Sequence, residues 1–225
     1  MKVVIPETLN EITLDQFLKF QKVIKAEDIT EDILCLAMVT IFCKLTVEQA
    51  RNIEIKDYNE IVLQLSEVLK QEPKFIQRFT LEGMEFGFIP NLDNITAGEY
   101  IDLDTYLKDE ETHINAMAIL YRPIVSSIKN DYKIDAYESS EKYKDVMQFM
   151  PLDVYLGSMV FFYNLSKELL TATKLYFQQS KQAKELEAVL ETSGVGINQF
   201  IQLLEEACLT LKKQLQWNYM DSLHS

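Results

Sequence analysis

Hydrophobic positions in the first seventy residues recur at helical spacing, and most of the runs follow a residue suited to capping a helix. Thr13 is followed three residues on by Gln16, so hydroxyl and side-chain amide can satisfy each other's orphan backbone donors, with Ile12 and Phe17 at staple spacing. The pattern predicts a helix over 14–25 whose inner edge carries Leu14, Phe17, Leu18 and Gln21. Thr30 predicts the cap of a helix over 31–44, apolar nearly all round and therefore central. Thr46 with Gln49 opens a short helix over 47–52. Asp57 opens another through Lys70, with Ile61, Leu65, Val68 and Leu69 as its buried stripe.

At Lys74 the period changes. Over 75–89 the chain alternates, with Phe79, Leu81, Phe86 and Phe88 placed about Glu82-Gly83-Met84, which predicts two short strands joined by a tight turn. No other stretch alternates convincingly. A helix or helix pair is expected over 97–121, ending at Arg122-Pro123, followed by a polar, Tyr-rich loop over 124–140. Ser140 is placed to cap a helix over 141–149, and Pro151 takes the favoured first position of a long helix over 152–192. Ser193-Gly194-Val195-Gly196 reads as a loop. A final amphipathic helix over 197–220 carries Phe200, Leu203, Leu204, Cys208, Leu211 and Leu215 on one stripe. The expected fold is mainly α: a multi-helix bundle with one small β-hairpin at about 75–89. Its parts are a helical region 1–72, a hairpin with helices over 73–150 and a long-helix region 151–225, with one continuous domain left open.

One local pattern occurs twice. Ile5-Pro6, Leu9-Asn10-Glu11-Ile12-Thr13 and then Gln16-Phe17-Leu18 is echoed, with a one-residue gap, by Ile89-Pro90, Leu92-Asp93-Asn94-Ile95-Thr96 and then Glu99-Tyr100-Ile101. Duplication and convergent capping chemistry both account for it.

Composition narrows the partners. Thirty-five acidic against 22 basic residues give a net charge of −13, which repels phosphate backbones and anionic membrane surfaces. The charge serves solubility or meets a basic protein partner. Cys35, Cys43 and Cys208 have no metal-ligand spacing; the first two share a helix face and read as small core residues, and no disulfide framework is expected. After Met1-Lys2 only Val3-Val4-Ile5 precede Pro6, too short a run for a signal-peptide core. The most apolar window, 156–163, is far shorter than the roughly 20 residues of a membrane span. These features fit a cytoplasmic protein.

The chemistry of sites is thin. Gly194 and Gly196 lack the strand and Lys-Ser/Thr of a phosphate loop. Glu110 and His113 form a Glu-x-x-His step, but a di-iron bundle needs two such steps and two further glutamates. Asp102 and Asp104 begin like a calcium loop, yet Leu107 and His113 stand where Gly and Glu are needed. Gly157-Ser158 falls inside a helix rather than at a nucleophile elbow. The expectation is no catalytic, cofactor or metal site and no enzyme activity. Tyr132, Tyr137, Tyr143, Tyr155, Phe161, Phe162, Tyr163, Tyr176 and Phe177 form an aromatic band that is core or, in part, a protein-binding face.

Ile12-Thr13-Leu14, the apolar run 33–42, Leu45-Thr46-Val47-Glu48-Gln49-Ala50, and Ile53 leading to Asp57-Tyr58, Ile61 and Leu65 together resemble the helical layout of tail assembly chaperones of long-tailed bacteriophages. Residues 79–100 and 152–165 are similar to uncharacterised tailed-phage proteins, including those of crAss-like phages. The resemblance covers about a third of the chain and rests on capping signals that many proteins share. It implies a non-catalytic assembly factor in the host cytoplasm, holding an aggregation-prone helical client such as a tape-measure protein. The greater length, the hairpin and the long C-terminal half leave a second role open: a virion component such as a connector, ring or packaged internal protein, self-associating or bound to other phage proteins. Nucleic acid and membrane are not expected partners.

Overall fold

A computed structural model of the chain describes residues 2–129 and 131–179. Two compact units are present, Met1–Tyr155 and Leu156–Ser225. In the first, α1 (Leu14–Ile24), α2 (Glu31–Phe42), α3 (Val47–Arg51) and α4 (Ile55–Leu69) precede strands β1 (Arg78–Leu81) and β2 (Met84–Phe88). Helices α5 (Ala97–Tyr106) and α6 (His113–Leu120), strands β3 (Tyr121–Ile128) and β4 (Asp131–Ile134), helix α7 (Glu141–Met147) and helix α8 (Leu152–Gln179) follow. The second unit begins inside α8, where the Phe161 and Phe162 rings pack edge-on at 5.4 Å. The sequence-predicted end of the long helix, the 193–196 loop and the 197–220 helix lie outside the described residues.

The fold is α+β rather than mainly α with one hairpin: β1-β2-β3-β4 form a four-stranded antiparallel sheet. The expected hairpin is its first half, closed by a two-residue turn in which Glu82 (φ 50°) and Gly83 (φ 80°) are both left-handed, the conformation whose twist suits a hairpin. The stretch expected as helix end and loop is its second half. Tyr121, Arg122 and Pro123 pair with Phe88, Gly87 and Phe86, and β3 then pairs with β4 through an irregularity between Ile124 and Ser126. Pro123 is tolerated because its carbonyl faces β4, accepting from the Asp135 N–H at 2.8 Å, so its missing N–H subtracts nothing from the β2–β3 ladder. β3 also hides its period: Tyr121 and Arg122 are both buried, while its far end is exposed on both faces.

One sheet face carries aromatic bulk. Phe79 stacks on Phe86 at 5.6 Å, Tyr121 meets Phe79 and Phe88 edge-on at 5.4 and 5.2 Å, and Tyr143 of α7 meets Phe86 at 6.1 Å. On the other face Tyr132 lies over Gly87, where any Cβ would collide with its ring, and the Arg78 guanidinium sits 4.3 Å above that ring.

Capping chemistry joins the helices. The reciprocal Thr13–Gln16, Thr46–Gln49 and Thr96–Glu99 boxes all form. Gln16 is used twice, its Nε2 donating to the Ile41 carbonyl at the end of α2 at 2.6 Å. The first N–H groups of α1, on Leu14 and Asp15, donate to the carbonyls of Met150 and Gln148 at 2.8 and 3.0 Å, while Leu152 N–H returns a bond to Ile12 at 2.8 Å. Orphan donors of one helix thus meet orphan acceptors near another. Three expectations shift. α4 begins at Ile55, two residues before Asp57. Ser140 does not cap α7 but accepts from Asn115 Nδ2 at 3.1 Å. α2 buries only Leu34, Met38, Val39 and Phe42, leaving Ile33 exposed. Both copies of the repeated pattern adopt one local structure, a 3-10 turn (Leu9–Glu11 and Leu92–Asn94) followed by a boxed helix.

Candidate protein-interaction site

Helix α4 is the centre of the site. Its Leu65, Val68 and Leu69, with Ile61, face the core as the sequence pattern predicts. The rest of its circumference makes two flanks. Ile55, Tyr58, Asn59, Val62 and Leu63, at helical spacings of three and four, border a groove of about 460 Å³ completed by Glu31, Asp32 and Cys35 of α2. Asp57, Glu60, Ile61 and Gln64 border a cleft of about 680 Å³ completed by Val3, Ile5, Gln49, Asn52, Ile53 and Glu54. The α4 helix is therefore a ridge between two grooves.

The α2–α4 groove is apolar at its base and acidic at its α2 end. Ile55 and Leu63, which line it, are 74% and 64% exposed. Apolar side chains clustered along one helix flank in this way mark a contact surface, whereas single exposed ones do not. Neither Glu31 nor Asp32 has a basic nitrogen within ion-pair distance among the described residues. Burial, with these two carboxylates, holds the Cys35 thiol above its ordinary range, which makes it a poor nucleophile at neutral pH. Burial raises Cys43 to about 11. Cys43 is a core residue as expected, while Cys35 lines the groove.

The candidate chemical pairs are dispersed. His113 is fully buried, 2.7 Å from the Tyr155 hydroxyl through Nδ1 and 3.3 Å from the Leu107 carbonyl through Nε2. A carbonyl only accepts, so Nε2 carries the proton and Tyr155 donates to Nδ1. Burial lowers the His113 pKa. Glu110 instead pairs with Lys25. Asp102 accepts from the Tyr137 hydroxyl, and Asp104 holds Lys108 at 2.6 Å. Among the described residues no three His, Cys, Asp or Glu side chains are grouped to hold a metal ion. Gly157 and Ser158 lie within α8. In the aromatic band, Tyr132 and Tyr155 are core residues.

A buried polar cluster escaped the sequence reading. Glu99, already in the α5 capping box, forms an ion pair with Arg122 of β3, both side chains 6% exposed. Burial pushes the Glu99 carboxyl up, but hydrogen bonds from Thr96 and the Arg122 charge outweigh it and its pKa falls. Also missed were the outer stripe of α4 and the role of Val3 and Ile5. The stripe has a legible signal, since Ile55, Tyr58 and Val62 repeat at helical spacing away from the core stripe. No helix among the described residues is long and apolar enough to cross a membrane. Compared with protein-family models, curated proteins and solved structures, the chain matches none.

Proposed function

We propose that the chain is a non-catalytic protein-interaction factor of a tailed bacteriophage, of the tail-assembly-chaperone kind, which holds a client's amphipathic helix in the groove between α2 and α4. The observation that carries this reading is the apolar stripe Ile55, Tyr58, Val62 and Leu63 lining the groove, with Ile55 and Leu63 largely exposed. A helix laid there would cover these side chains with its apolar face, and its basic residues would meet Glu31 and Asp32. The net charge of −13 keeps such a complex soluble while an apolar client is held. The client we propose for it is a long helical protein of the tape-measure type.

Co-expression with such a client tests the reading. Ile55→Glu with Leu63→Glu alters two exposed side chains, so folding is expected to survive while the client precipitates. A double variant that keeps the client as soluble as the wild type does would refute the groove. Mass spectrometry of purified particles tests the role itself: an assembly factor leaves before maturation, and a fixed copy number in the particle would instead indicate a virion component.

A further inference from the structure

The geometry points to a second, separate docking surface on the other flank of α4: the cleft beside residues 3–5 takes an extended peptide segment of a partner protein, one that carries basic side chains and pairs its backbone with residues 3–5. Val3 and Ile5 line this cleft, while Val4 between them is 72% exposed, the alternation of an extended chain. Among the described residues no backbone or side-chain group bonds to the backbone of Val3, Val4 or Ile5. These unpaired groups are a template for one more strand. A two-stranded ribbon is marginal in water unless it packs on something. Here Ile53 and Ile61 supply the apolar surface beneath it.

Charge specifies the occupant. Glu54, Asp57 and Glu60 line the cleft, and none lies within ion-pair distance of a basic nitrogen among the described residues. Some carboxylates outside the cleft are matched, among them Asp15 with Lys19, Glu67 with Lys70 and Glu110 with Lys25. Asp57 and Glu60 are three apart on α4, a spacing that brings both carboxylates to one flank of the helix. The carboxylates do not group to share a metal ion, so they act as separate points for separate cationic side chains. A helical ligand satisfies its own backbone and would leave residues 3–5 unpaired. The matching segment is extended, with apolar side chains alternating with Lys or Arg.

Fluorescence anisotropy with the full chain tests this. The probe is a labelled hexapeptide of alternating Val and Arg; its controls carry Glu in place of Arg, or N-methyl groups on alternate amides. The Val–Arg peptide should bind, and both controls should fail. Each exposed ion pair is worth about two- to fivefold in affinity, so Asp57→Asn with Glu60→Gln should weaken binding by about tenfold. Glu54→Gln, weakening it by about two- to fivefold, is the second variant should the double one melt early. Leu63→Glu, in the α2–α4 groove, should leave the affinity unchanged, which separates this surface from the client groove. The proposal is overturned by absence of Val–Arg binding, by undiminished binding to the charge variants, by equal binding of the N-methylated peptide, or by loss of binding in Leu63→Glu.

Discussion

Truncating Phe86 to alanine decides whether the β1–β2 ribbon is part of the fold or an edge held for assembly. Phe86 is fully buried, stacked on Phe79 at 5.6 Å and met edge-on by Tyr143 at 6.1 Å. Losing its ring removes roughly 150 Å² of buried apolar surface, which at about 25 cal/mol per Å² is about 4 kcal/mol. The neighbours that would have to collapse into the cavity are themselves constrained: Phe79 also packs against Tyr121, and the Tyr143 hydroxyl donates to Asp135 at 2.6 Å. Little relaxation is available, and Phe86→Ala should cost about 3–5 kcal/mol. Urea denaturation followed by circular dichroism measures it as a fall in midpoint at unchanged slope. Light scattering on the same sample reports any change of association. An assembly edge would behave in the opposite way, with stability nearly intact and oligomers or partner binding lost. A stability loss below about 1 kcal/mol would refute intrachain packing of the ribbon, because no buried phenyl group is removed so cheaply.

Three other perturbations probe the interior. Glu99→Ala leaves Arg122 charged and unpaired inside the protein and should cost about 3–5 kcal/mol in denaturant melts; adding Arg122→Met should recover much of it, and a double variant worse than the single would contradict the pairing. Gly87→Ala drives a methyl group into the Tyr132 ring, which is held by Arg78 at 4.3 Å and by its hydroxyl bond to the Phe88 carbonyl at 2.5 Å, so a loss of about 1–3 kcal/mol is expected; a neutral result would mean that the ring gives way. His113 contributes pH dependence. Burial lowers its folded pKa below the unfolded value of about 6.5, so its contribution is complete above that value and is lost as pH falls from there toward the folded pKa. Charging the ring would also require Tyr155 to turn its proton away, with Lys25 opposing and Asp109 and Glu110 favouring the charge. The melting temperature should therefore drop between pH 7.5 and 5.5, and His113→Gln should flatten that slope; an unchanged slope in the variant would assign the loss to other groups.

What the sequence by itself determined is local. The Thr13–Gln16, Thr46–Gln49 and Thr96–Glu99 boxes, the Glu82-Gly83 turn and the Ile61, Leu65, Val68 and Leu69 stripe all involve partners within one or two helical turns, or one tight turn, of each other. Their energetics do not wait for the rest of the chain. Only the tertiary structure decided the second half of the sheet. Tyr121, Arg122 and Pro123 carry a helix-ending signal, and they are strand because β2 offers them partners more than thirty residues upstream. The same holds for the faces of α4. Its two apolar stripes are alike in residue type, and which one is covered depends on where α2, α3 and the chain before Pro6 come to rest. Hydrophobicity measures only the tendency to leave water; the neighbour that completes the burial is supplied by chain topology, to which a helical period carries no pointer.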